Sequence, residues 1–169
     1  MKRLAFLRIL INILFLVCML IVFFGLPLIL IITFSPRSVP FNVNGHAIEA
    51  SSFELFFLML VLYLGHCAFT YAIYLFGKTL ALFAKKIIFD DKVIAMLDQA
   101  GKSFIVAGML WIIPPFFYRL LAENTLEARL DFTGFGSTIF AISLGLFLMV
   151  LSEVFLMAKN IKEENDLTV

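Results

Sequence analysis

The chain has 169 residues, 63% of them hydrophobic and 15% charged, with a formal net charge of +1. Soluble domains run at about 45–50% apolar and about 25% charged. A compact water-soluble domain of this size could not bury that much apolar surface, and a disordered chain would need low hydrophobicity. Two cysteines rule out a disulfide scaffold, and the near-zero charge argues against direct nucleic-acid binding. An integral membrane protein remains, in keeping with a mean hydropathy of +1.06.

A bilayer core of about 30 Å needs roughly 20 apolar residues in a helix. The first candidate span covers residues 9–34 and has Asn12 as its one strongly polar residue. Lys2, Arg3 and Arg8 precede it. Its apolar run is longer than the roughly 7–15 residues of a signal peptide, and Ser35-Pro36-Arg37 offers no small-x-small cleavage site, so it reads as a retained anchor. The loop that follows carries Asn44-Gly45 between roughly alternating residues, a hairpin signal. The second span, about 53–77, is uncharged from Leu55 onward and is interrupted by Gly65, His66 and Thr70.

Residues 78–102 read as a loop with structure of its own. Thr79 to Phe83 continue the second helix, Lys85 and Lys86 suit a helix C-terminus and anionic head groups, and Asp90 or Asp91 makes an N-cap. Val93, Ile94 and Leu97 then follow at helical spacing, with Gly101 as a stop. Two readings stay open: a short amphipathic helix over about 91–100 lying on the membrane face, or a plain helix–turn–helix connector.

The third span, 103–122, reaches full length if Arg119 snorkels, and Pro114-Pro115 should kink it near an aromatic belt of Trp111, Phe116, Phe117 and Tyr118. The fourth, 132–158, contains Glu153. The tail, 159–169, is polar and acidic, and extends the fourth helix by a turn or two before fraying. Spanning segments must be helices or a closed barrel, and the alternating ten-residue segments of a barrel are missing. The fold class is therefore all-α: an integral membrane four-helix bundle in a single domain over 1–169, with room for a small external β-hairpin. Ten Lys and Arg fall on the side of the termini and the 78–102 loop, against Arg37, Arg119 and Arg129 on the other, which predicts cytoplasmic N- and C-termini.

Two stretches carry a resemblance. One is Ile88-Phe89, a capping Asp, then Val93, Leu97 and Gly101. The other is Leu151-Ser152-Glu153-Val154-Phe155 followed by Glu163-Glu164-Asn165-Asp166-Leu167-Thr168-Val169. With the four-span layout, the chain resembles, over essentially its full length, an uncharacterised bacterial four-span membrane family (domain of unknown function 2975). It departs from that family in placing Leu156 and Met157 where a basic residue often follows the Glu-Val-Phe run. Members are commonly encoded beside a small helix-turn-helix regulator. The resemblance thus implies a bacterial inner-membrane protein and a regulatory pairing, and it supplies no catalytic residues.

Glu153 and His66 are the candidate functional polar residues. A carboxylate at mid-membrane costs roughly 2.5–3.5 kcal/mol, less near an interface. Ser137, Ala141 and Gly145 form a small-residue ladder, and Glu153, about 80° round from Gly145, is expected to point into the bundle. It reads either as a proton or cation site or, preferably, as a carboxylate paired with Lys159, Lys78 or a helix N-terminus. His66, mid-span, is a titratable relay or, preferably, a hydrogen-bonded packing histidine. Its depth argues against direct contact with Glu153. Cys18 and Cys67 fall at similar depth, and no disulfide is expected in lipid. No ligand spacing for a metal, no cofactor motif and no catalytic constellation appear. The expected function is non-enzymatic: binding or sequestering a small cytoplasmic DNA-binding regulator through Lys85, Lys86, Asp90, Asp91, Glu163, Glu164 and Asp166. The alternative is a small transporter or channel subunit using Glu153, which would need a homo-oligomer. A lipid-active membrane enzyme ranks last.

Overall fold

The structure, a computed structural model, describes residues 2–34, 42–43, 46–47, 52–122 and 132–167. Four long helices, α1 (Lys2–Phe34), α2 (Ser52–Ala84), α3 (Asp91–Ala122) and α4 (Phe132–Leu167), account for nearly all of it. Between α1 and α2, β1 (Asn42–Val43) pairs antiparallel with β2 (His46–Ala47), with Asn42 opposite Ala47 and Val43 opposite His46. Asn44 and Gly45, the expected turn, lie outside the described residues. Segments Arg3–Phe34, Phe56–Ala84, Asp91–Ile113 and Thr138–Asn165 are each long and apolar enough to cross a membrane. The molecule is a membrane four-helix bundle. Its outward surface fits that solvent: Phe23, Ile31 and Phe34 on α1 and Phe140 and Phe147 on α4 stand open, which only lipid tolerates on this scale.

Among the described residues the helices pack in chain order, α1 on α2, α2 on α3 and α3 on α4. So α1 and α4 are edges, each using one narrow face. Among the described side chains of α1, Cys18 and Thr33 are the buried ones. The α1–α2 register is fixed by Tyr63 Oη donating to the Val22 carbonyl at 2.9 Å and by Phe15 against Tyr74. Between α2 and α3, Gly65 backs onto Trp111, and Phe69 meets both Phe104 and Trp111. The core lies toward the α2–α3 connector, where Ile73, Val93, Leu97, Ala100 and Leu148 are sealed.

Residues 79–83 continue α2 as expected, and residues 85–90 form a short connector between two helices, which is the helix–turn–helix reading. Residues 78–84 belong to α2 and residues 91–102 to α3, so the expected separate helix forms the first three turns of a spanning helix. The physical reason is Gly101. A glycine there suits a stop, but it serves instead for close approach: a Cβ at Gly101 would sit 2.6 Å from the Gly145 carbonyl oxygen, and one at Gly145 would sit 2.7 Å from that of Gly101. The Ala141–Gly145 part of the small-residue ladder does face α3. The side chain of Ser137 lies outside the described residues, as do those of Pro114 and Pro115, through which α3 continues to Ala122.

Candidate docking face at the connector end

The connector is tightly specified. At the end of α2 the Lys86 amide donates to the Phe83 carbonyl at 3.0 Å and the Ile87 amide to that of Leu82 at 3.1 Å. This closes the helix by a left-handed residue, Lys86, at φ 62°. Four residues later Asp90 Oδ1 accepts from the Lys92 amide at 2.7 Å, so Asp90 is the N-cap of α3. Asp91, spared that duty, accepts from Lys159 Nζ of α4 through both carboxylate oxygens at 2.7 and 2.6 Å. Ser152 Oγ donates to the Ile94 carbonyl at 2.9 Å. Phe155 is wedged edge-on against Phe83 and Phe89. These contacts hold α4 against the start of α3. The hydrogen bond to Asp91 is the main reason the Lys159 ammonium is held above the ordinary lysine value of 10.5.

Depth follows from charge. On the outward face of α3, Lys102 Nζ pairs with Asp98 Oδ2 at 2.6 Å, the two side chains 61% and 37% exposed. This ion pair is the charged part of the outward face of α3, whereas Val106, Met109 and Ile113 beyond it on the same face are apolar and exposed. Lys78, its ammonium 4.5 Å above the Tyr74 ring, and Arg8, one turn beyond the Ile11 that touches Gly77, fall within about two turns of the same level. From Lys102 to the start of α3 the helix rises about 16 Å. The connector and the charged last turn of α4 therefore mark this end of the bundle as its polar end.

This changes the reading of Glu153. It neighbours Ser152, which touches α3 at Ile94, about 12 Å nearer the connector than Lys102. Its side chain is exposed and does not point into the bundle. Because α4 packs chiefly on α3, an offset of about 80° from Gly145 carries a side chain off the packed face. Nor does it pair with Lys159, which is held by Asp91 and, at 3.5 Å, by Glu163; Lys78 lies over Tyr74 instead. His66 lies about 24 Å away along the bundle, judged from Gly65 against Leu110 and Ser152 against Ile94. It is half-buried beside Phe69, and its Nε2 is buried without a hydrogen-bond partner among the described residues, so the hydrogen-bonded packing role expected of it is not observed at that atom.

Of the candidate partner-binding residues, Lys85, Lys86, Asp90, Asp91, Glu163 and Glu164 are all exposed and gathered at this one end. The side chain of Asp166 lies outside the described residues. Sequence reasoning paired Lys159 with Glu153, where the structure pairs it with Asp91, gave Ser152 and Phe155 no anchoring role, and missed an exposed apolar row on α4: Val150 (57%), Val154 (50%), Met157 (61%) and Ile161 (61%). The spacing i, i+4, i+7, i+11 is visible in the sequence, but hydropathy alone assigns such a row to lipid. Cys18 and Cys67 are free thiols. Among the described residues no group of three or more His, Cys, Asp or Glu could hold a metal ion.

The family described as Protein of unknown function (DUF2975) matches residues 2–169. The chain belongs to this family. That membership agrees with the four-span layout, and the family's description names no catalytic role. No curated protein and no solved structure matches the chain.

Proposed function

We propose that this member of DUF2975 is a non-enzymatic membrane platform. Its connector end faces the cytoplasm from a bacterial inner membrane and binds or holds a small cytoplasmic helix-turn-helix regulator. The observation that carries this reading is the construction of that end. There α3 and α4 are joined by Lys159–Asp91 and Ser152–Ile94, and α2 meets α4 through Phe83 against Phe155, yet Lys85, Lys86, Lys92 and Glu153 have no ion-pair partner among the described residues. Ten of the thirteen Lys and Arg lie on this side, which supports its assignment to the cytoplasm. Affinity purification from native membranes tests the reading. The regulator co-purifies with the intact protein and is lost when Lys85 and Lys86 are changed to glutamate and residues 159–169 are removed. An unchanged partner set after both changes contradicts it.

The transporter reading has one observation in its favour, the buried unpartnered Nε2 of His66. It is the weaker of the two, because Glu153 lies outside the bundle and far from His66. If it held, His66→Ala would abolish ion flux in proteoliposomes.

A further inference from the structure

Charge is divided unevenly at the polar end. Its described acidic side chains, Asp90, Asp91, Asp98, Glu153, Glu163 and Glu164, cap α3 or lie on α3 and α4, and Lys102 and Lys159 of those helices pair with three of them. The first half of α1 and the last half of α2 hold no acidic residue, yet carry Arg3, Arg8 and Lys78, all exposed. Among the described residues α1 packs on α2 and on no other helix, and neither Arg8 nor Lys78 has an ion-pair partner.

These two cations converge. On α1, Ile11 meets Gly77 and Phe15 meets Tyr74, so residues 8, 11 and 15, at i, i+3 and i+7, form the row toward α2. On α2, Lys78 stands one turn beyond Tyr74, its ammonium 4.5 Å from the centre of that ring. Measured from the Ile11–Gly77 contact, Arg8 lies about 4.5 Å and Lys78 about 1.5 Å toward the polar end. They therefore stand within about 3 Å of one level, at the mouth of one interhelical groove. They are also the innermost charges of their helices at this end, since residues 9–34 and 55–77 are uncharged. A cation that borders a lipid-facing run calls for a counter-charge beside it, and on this side the described chain offers none.

We propose that Arg8 and Lys78 form a head-group site for an anionic phospholipid of the surrounding bilayer. The guanidinium takes two phosphate oxygens through its paired N–H donors, the ammonium adds a point charge, and the acyl chains lie against the apolar surface of α1 and α2 next to them. Free phosphate would satisfy the cations but leave that apolar surface unused, so the lipid is the occupant. The inference is independent of the platform reading, because neither residue belongs to the connector.

The test uses the full chain in non-ionic detergent, titrated with phosphatidylglycerol or with phosphatidylcholine of the same acyl chains. Bound lipid is counted by native mass spectrometry, and the thermal midpoint is followed in parallel. Phosphatidylglycerol binds about tenfold more tightly. Arg8→Gln with Lys78→Gln removes the preference, and Lys85→Gln with Lys86→Gln keeps it. The exchanged pair Arg8→Lys with Lys78→Arg restores most of it, which separates a lost site from a lost fold. Equal binding of the two lipids, or a preference that survives loss of both Arg8 and Lys78, overturns the proposal. So does a preference that falls equally when Lys85 and Lys86 are changed, which is the mark of a diffuse surface potential. A midpoint raised as much by inorganic phosphate as by phosphatidylglycerol also overturns it, since the ligand is then not a lipid.

Discussion

Lys86 holds a backbone conformation that a side chain disfavours, φ 62°, to close α2. Glycine at such a position relieves a cost of about 1 kcal/mol. Lys86→Gly is therefore expected to raise the thermal unfolding midpoint in detergent, and Lys86→Val to lower it. Gly101 and Gly145 make the opposite case. An added methyl at either would lie within 2.6–2.7 Å of the facing carbonyl oxygen, so Gly101→Ala forces α3 and α4 apart at a cost of about 1–3 kcal/mol. Gly136→Ala, with nothing within 4 Å, is expected instead to raise the midpoint in the same melt, by about 0.4–1 kcal/mol of stability. From the sequence, a glycine ten residues after an N-cap looks the same whether it stops a helix or lets two helices touch. Which role Gly101 plays depends on Gly145, and that pairing is made by the fold.

At the scale of elements, the α3–α4 clasp between Asp91 and Lys159 joins residues 68 positions apart, which no local pattern announces. What the sequence did carry was the pair of aspartates: one caps the helix and the other is left to bond elsewhere. Lys159 is raised above 10.5, so its contribution is present below the unfolded lysine value and fades as pH rises through the folded one. Spin labels at Lys92→Cys and Lys162→Cys, with Cys18 and Cys67 replaced by alanine, should report one narrow distance through neutrality that broadens only above 10.5. Asp91→Asn should broaden it at neutral pH. A distance unaffected by that substitution would mean that Ser152–Ile94 and the Phe155 contacts suffice alone.

For the whole molecule, the four spans were legible because lipid demands long uncharged runs, and the solvent argument needs no knowledge of packing. The depth of Glu153 was not. Hydropathy counted it into the fourth span because Val150, Val154, Met157 and Ile161 surround it, whereas its level is set by Ser152 touching Ile94, about 12 Å beyond Lys102. A carboxylate at that level needs no neutralising partner within the bilayer, so Glu153→Gln is expected to leave membrane insertion and stability unchanged, as assayed by expression level and melting.

Thiol accessibility tests the central claim that the polar end of the bundle lies on the cytoplasmic side. In a chain whose native cysteines are replaced by alanine, Met157→Cys and Val106→Cys are compared in inside-out membrane vesicles with a membrane-impermeant maleimide. Met157→Cys is expected to label fully and Val106→Cys, one turn beyond Lys102, to resist. Protection of both, or labelling of Met157→Cys only in right-side-out vesicles, would contradict the account.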